Sequence, residues 1–202
     1  MLARAWRFIQ VAGRMPAPRP PRVHVQHDFL PPLALSRTLA ALDRLSPSWR
    51  PSEALGLLGR SHTSQIRASD LIAQAPLDEI RLNLAGAALQ WAKRCGFAFR
   101  APPSLQVFPV RMVGDAERPP HQDPHVDSSG AHAGPPICTN VFYARVLAAR
   151  GGEPAIGRAG DLDDPVLVAP AANTMVSFAG ECVHWVRPLY AGERLSVVIN
   201  FY

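Results

Sequence analysis

From Ser104 onward the chain breaks into short β-forming runs at 104–110, 124–128, 137–147, 154–158, 165–169, 173–178, 182–187 and 194–201, with separators rich in Gly, Pro and Asp. No other feature constrains the fold as much. Many short strands punctuated in this way predict a sandwich or barrel, and no internal repeat is detectable.

The first half has a different texture. Val23 to Gln26 alternates as a short strand would, and Asp28-Phe29-Leu30-Pro31-Pro32 opens a helix whose Leu35, Leu39, Leu42 and Leu45 form one apolar stripe, ended by Pro47. Segment 49–69, with Gly56, Gly59 and many Ser, reads as strands around a mobile loop. Leu77, Ile80, Leu84, Ala88, Trp91 and Cys95 recur at intervals of three and four, so 77–95 is the clearest helix, with Gly96 as its left-handed cap. It should lie across the outer face of a sheet with Trp91 in the core. The class expected is α+β, mainly β, with helices before a β-rich half.

A chain of 202 residues, 48% hydrophobic, suits one domain. The formal charge of +5 is local: residues 1–27 hold five Arg and no acid, leaving sixteen basic against sixteen acidic residues. A neutral body argues against a nucleic-acid-binding face. The Pro-rich run Pro16 to Pro21 forms neither helix nor paired strand. Residues 1–22 are therefore expected to be a disordered basic tail, and 23–202 one domain with helical support at 28–96 and a β core at 104–202. Cys95, Cys138 and Cys182 fit neither a disulfide framework nor a zinc finger and read as reduced thiols in a cytoplasmic protein. No apolar run approaches the ~20 residues a spanning helix needs. A single lysine, Lys93, against twenty arginines suggests GC-rich bacterial coding.

The chemistry concentrates in the β half. His125-Val126-Asp127 sets an imidazole and a carboxylate on one side of a strand, because side chains alternate with a period of two. His184, from a neighbouring strand, can complete two imidazoles and one carboxylate around an ion with three positions left open, which suits non-haem Fe(II). A second H-x-D, His121-Gln122-Asp123, stands directly before the first. Either pair could serve. The β-former Val126 and the turn Ser128-Ser129-Gly130 favour His125 and Asp127, while Pro119-Pro120 favours a loop at His121. Arg194, ten residues beyond His184, offers a permanent bidentate charge.

Pro124-His125-Val126-Asp127-Ser128, Thr139-Asn140-Val141-Phe142-Tyr143, Gly151-Gly152-Glu153, Val176-Ser177-Phe178 and His184 through Arg194 to Val198 resemble the Fe(II)- and 2-oxoglutarate-dependent oxygenases, nearest the prolyl-hydroxylase-like branch. Phe29-Leu30-Pro31-Pro32 before a helix is similar to that family's entry segment. The resemblance implies a double-stranded β-helix, a jelly-roll flanked by helices. It matches His125, Asp127 and His184 to iron ligands, Arg194 to the partner of the distal carboxylate of 2-oxoglutarate, and Tyr143 to a tyrosine assisting that carboxylate. Thr139 and Val141 would share the inner face with Tyr143, and Ser196 could add a hydrogen bond to 2-oxoglutarate. Asn200, His132 and Arg67 are candidate substrate contacts, the last two on loops 128–136 and 49–69 that would close over the substrate. Gln106 and Phe108 stand where relatives often carry a tyrosine, and Asn173 replaces a turn glycine.

The activity implied is oxidation of an unactivated C–H bond, coupled to conversion of 2-oxoglutarate and O₂ into succinate and CO₂. A small-molecule or carrier-bound substrate of bacterial specialised metabolism is expected, with no membrane and no nucleic acid. A peptidyl hydroxylase of the same family and a non-oxidative, cupin-like metal-binding module are the alternatives.

Overall fold

The computed structural model describes residues 20–45, 50–51, 64–65, 75–99, 103–114, 116–123 and 134–202. Residues 1–19, most of 49–69 and the run 124–128 lie outside the described residues, and so do His125, Asp127, His132 and Arg67.

In chain order the elements are β1 (Val23–Gln26), α1 (Pro32–Arg44), β2 (Arg50–Pro51), β3 (Ser64–Gln65), α2 (Ala75–Arg94), β4 (Leu105–Val113), β5 (Ala116–His121), β6 (Cys138–Gly151), β7 (Pro154–Arg158), β8 (Asp161–Leu167), β9 (Thr174–Ala179) and β10 (Val183–Phe201). Both expected helices are present. Pro32 occupies the first turn of α1, where a missing N–H costs nothing. At the end of α2, Gly96 has φ +89° and its N–H donates to the Lys93 carbonyl, while Phe97 N–H reaches Ala92. This is the left-handed cap expected there.

All pairings are antiparallel, and β10 is the spine. The runs 182–187 and 194–201, expected as two strands, are one. The Leu189–Glu193 segment joins them through two register shifts, with Gly192 at φ +84°. Such bulges bend a strand sharply. The first half of β10 therefore pairs with β5 and β7, and the second half with β4 and β6, so β10 passes from one layer of the curled sheet into the other. The larger layer runs β1-β9-β6-β10-β4-β3-β2. This is a jelly-roll core, the architecture that the resemblance implied.

Its outer face carries the helices. Leu42, Leu77, Ile80, Leu84 and Ala88 bury against Phe142, Met175, Leu195, Val197, Ile199 and Phe201. At about 1.5–3 kcal/mol for each large side chain buried, this face dominates the hydrophobic stabilisation. Asn173 fastens the entry segment to the sheet. Its φ of +54° is left-handed, its Oδ1 accepts from Leu30 N–H at 2.9 Å, and its Nδ2 donates to Leu30 O at 2.9 Å. Asparagine tolerates that conformation better than other side chains with a Cβ.

Strand β5 was not expected, since Pro119-Pro120 argued for a loop. Prolines are admitted at edges and bulges, where no ladder N–H is required, and β5 pairs with β10 only irregularly. His121 faces His184 and Arg118 faces Val186, with a register shift between the two pairs. Three residues on β5 thus oppose two on β10.

Candidate active site

The extra residue at Pro119-Pro120 sets the site. On a regular strand, Arg118 and His121 would point to opposite faces, being an odd number of residues apart. The bulge inverts that alternation between them, and both line one cavity of about 490 Å³, including its open mouth, between the two layers. Asp123, two residues past His121, points the same way. His184 enters from β10 directly across from His121.

Among the described residues, His121, Asp123 and His184 are the group whose donor atoms converge, all within 4.8 Å of one another. His121 Nε2 lies 3.6 Å from Asp123 Oδ1, and His184 Nε2 lies 3.6 Å from Asp123 Oδ2. Two donors at roughly 2.1 Å from one ion and at right angles stand about 3 Å apart, so a small inward shift brings all three onto a metal. The side chains are 20%, 4% and 12% exposed for His121, Asp123 and His184.

Protonation suits ligation. Burial lowers the pKa of His121 to about 3, helped by the Arg118 guanidinium and by His184. Burial also lowers that of His184, with Asp123 opposing and Arg118 assisting. Both rings are therefore neutral at physiological pH, and their contacts with Asp123 are not ion pairs. His121 Nδ1 is 2.8 Å from the Pro119 carbonyl and His184 Nδ1 is 3.4 Å from that of Cys182. A carbonyl can only accept, so each ring keeps its proton on Nδ1 and presents the Nε2 lone pair to the centre, the usual arrangement of a ligating histidine. His121 Nε2 is buried without a hydrogen-bond partner. Asn200 Nδ2 donates to Asp123 Oδ2 at 3.2 Å.

Farther into the cavity stands Arg194, its guanidinium stacked 5.3 Å from the Tyr143 ring centroid. Arg194 Nη1 donates to the Gly152 carbonyl and Nη2 sits 2.9 Å from Met112 Sδ. Its Nε and the Tyr143 hydroxyl are both buried with no partner. Among the described residues, no carboxylate lies within ion-pair distance of Arg194. Glu153 acts on the guanidinium only at longer range; a buried guanidinium with no carboxylate in contact and a buried phenol without an acceptor are costly to leave so, and a carboxylate entering the cavity would satisfy both. The Gly151-Gly152 hairpin that supplies the carbonyl is sterically required, since a Cβ on Gly151 would stand 2.2 Å from the Pro188 carbonyl.

Tyr143, Val141, Arg194 and Ser196 line this cavity, together with His184. Thr139, on the same side of β6 by strand alternation, is not in that lining and is buried with an unpartnered hydroxyl. Ser196 Oγ reaches only the Val110 carbonyl, at 3.4 Å. Asn200, expected on the substrate side, instead holds Asp123. Among the described residues, the pair brought to His184 is His121 and Asp123, the alternative H-x-D of the sequence. Arg118 escaped that reading altogether, because its orientation depends on a bulge that has no sequence signature beyond two prolines.

No family model matches the chain, and no curated protein does. Among solved structures it is similar to a Pseudomonas putida prolyl-4-hydroxylase, at 18% identity over 90% of this chain and 92% of that one, TM-score 0.60. It is also similar to an oxidoreductase of the 2OG-Fe(II) oxygenase family from Burkholderia pseudomallei, at 21% identity, 89% and 84% coverage, TM-score 0.65. A third likeness is to HygX from Streptomyces hygroscopicus, solved with nickel and 2-oxoglutarate bound, at 14% identity, 90% and 82% coverage, TM-score 0.61. At these identities the likeness is one of fold, and over about nine-tenths of its length this chain has the fold of those oxygenases.

Proposed function

We propose that this protein is an Fe(II)- and 2-oxoglutarate-dependent oxygenase in which His121, Asp123 and His184 hold the metal. The observation that carries the reading is the meeting, in one cavity, of two neutral imidazoles and a carboxylate with a buried arginine and tyrosine that lack an anionic partner. Iron held there would supply O₂ activation coupled to oxidative decarboxylation of 2-oxoglutarate. Arg194 takes the distal carboxylate of 2-oxoglutarate in its fork, and the Tyr143 hydroxyl donates to the same group. Gly152 O and Met112 keep the guanidinium from swinging away. Asn200 restrains one oxygen of Asp123, and the Pro119 and Cys182 carbonyls fix the imidazole tautomers. The walls around these groups are apolar, Phe178, Trp185 and Val186 among them, and exclude bulk water from the reacting centre.

The substrate class inferred is a small molecule or carrier-bound intermediate, for which a largely apolar cavity between two layers is the supporting feature. A non-oxidative metal-binding module is the rival. It has no use for an unpaired Arg194 facing the ligands. Anaerobic addition of 2-oxoglutarate to the Fe(II)-loaded protein should give a weak visible charge-transfer band, and aerobic incubation should release succinate. A loaded protein that shows neither would establish the rival.

His125 and Asp127 remain the other source of the pair, favoured by the Pro124-His125-Val126-Asp127-Ser128 pattern. Metal content decides between them. On the reading preferred here, His121→Ala strips iron and His125→Ala leaves it; the reverse result transfers the role to His125 and Asp127.

A further inference from the structure

Among the described residues two guanidinium groups line the cavity, and the reading above uses only one, Arg194. The other, Arg118, has one counter-ion among the described residues: its Nη2 lies 3.6 Å from Asp123 Oδ1. That contact is well beyond the roughly 2.7–2.9 Å of a charge-assisted hydrogen bond. The Arg118 side chain is only 20% exposed, so water supplies little of the missing solvation. Burial and the nearby Arg194 both work against its charge, with Asp123 alone opposing them.

A divalent cation held by Asp123 would weaken this support, because it would draw on the same carboxylate charge and set a positive centre beside Arg118. A cosubstrate dicarboxylate would answer for Arg194 and for most of the metal charge. Both of its carboxylates would be used on those groups, which leaves none for Arg118 on β5, a different strand from the β6–β10 pair that carries Tyr143 and Arg194. Trp185, Val186, Pro154 and Phe178 supply apolar walls to the same cavity.

We propose that Arg118 anchors a carboxylate of the prime substrate, so that the site takes a small carboxylic acid with an apolar body in preference to a neutral molecule. The proposal rests on the oxygenase reading of the site and names the substrate class within it. Arg118 presents a fork to a carboxylate from a rigid bulge, and a bidentate pair fixes orientation as well as affinity. The acid's apolar portion would lie along Trp185 and Val186, next to the metal-binding group.

Benzoate and benzamide test this, having the same shape and differing in charge. The nickel-loaded protein is first titrated with 2-oxoglutarate by calorimetry, which reports on the oxygenase reading separately. Benzoate and benzamide are then titrated with and without saturating 2-oxoglutarate. Wild type should bind benzoate at least tenfold more tightly than benzamide in both conditions. Arg118→Gln should bring benzoate down to the level of benzamide, and Arg118→Lys should keep part of the preference. Equal affinity for acid and amide in wild type, no measurable binding of either, or an intact preference in Arg118→Gln would each overturn the proposal. So would loss of nickel from Arg118→Gln with benzoate affinity unaffected in the fraction still loaded, since Arg118 would then act by positioning Asp123.

Discussion

Strand β10 separates two environments that are equally dry and differently finished. Toward the helices, Leu195, Val197, Ile199 and Phe201 bury against α1 and α2, and a polar chain among them is matched: Trp91 Nε1 donates to Ser177 Oγ at 3.0 Å, Ser177 donates to Asn140 Oδ1 at 2.6 Å, and Asn140 Nδ2 donates to Ile199 O at 3.1 Å, while Asn83 Nδ2 on α2 and Arg145 Nε are buried without a hydrogen-bond partner. Toward the cavity, Arg194 Nε, Tyr143 Oη, Thr139 Oγ1, Asn200 Oδ1 and His121 Nε2 are buried and unmatched. Native interiors seldom leave polar atoms unpaired. The two faces of the same strands therefore differ: the core under the helices is largely satisfied within the fold, and the cavity face concentrates unmatched groups that an entering ligand would complete.

The largest effects should come from the residues where the cavity face meets the metal. Asp123→Ala or His184→Ala should lower metal content and succinate release below detection, because two ligands do not hold a labile Fe(II). Thermal stability of metal-free His184→Ala should change little by comparison, whereas Asp123→Ala also takes the counter-ion from the largely buried Arg118 and should melt lower. Metal analysis alongside a melting curve separates the two; retention of iron by Asp123→Ala would remove the carboxylate from the ligand set.

Next in size is the unmatched arginine. Arg194→Gln should raise the Michaelis constant for 2-oxoglutarate about 30-fold or more, since truncating one partner of a buried charge pair costs about 2–5 kcal/mol and each 1.4 kcal/mol is tenfold. An unchanged constant would mean that another cation holds that carboxylate, and Arg118 would be the first to examine.

The fold was more legible in the sequence than the site, for physical reasons visible in particular residues. Helix α2 and its Gly96 cap follow from local periodicity and a single φ requirement. The strands from Leu105 onward follow from their own composition. The bend that unites 182–187 with 194–201 rests on a register shift, which depends on partners far along the chain. The choice between the two H-x-D pairs turned on Pro119-Pro120, read as a loop, whereas the prolines sit in a bulge of an irregular edge pairing. That one inserted residue turns Arg118 toward the cavity, and no local pattern announces it. Arg194, Tyr143 and His184 were expected on one inner face and all three line the cavity, although the register shifts of β10 between His184 and Arg194 mean that alternation alone does not connect them.

A smaller effect should appear with pH. In the metal-free protein His121 is held neutral down to about 3 by burial, Arg118 and His184, and His184 is shifted in the same direction. An unfolded histidine takes its proton near 6.5. The unfolded chain thus binds protons first, and the stability present above about pH 6.5 declines as pH falls toward about 3. Urea midpoints at pH 7.5 and 5.0 should drop more for wild type than for His121→Leu. Parallel drops would show that His121 protonates as easily folded as unfolded.

The finest test pairs one hydroxyl from each face. Ser177→Ala removes the group that joins Trp91 to Asn140, leaving an indole N–H and an amide oxygen without partners, at a cost of about 1–3 kcal/mol. Trp91 is only partly buried, so water recovers some of that cost and the lower end applies, about 2–4 °C in melting temperature for a domain of this size. The constant for 2-oxoglutarate should not move. Thr139→Val makes the matching change on the cavity face, where the hydroxyl already lacks a partner and the replacement keeps the β-branched shape. No satisfied hydrogen bond is lost, so the melting temperature should hold or rise slightly, and any loss should appear in the 2-oxoglutarate constant instead. Equal melting losses from the two substitutions would mean that Thr139 is satisfied within the fold, and the contrast between the faces would fail at that position.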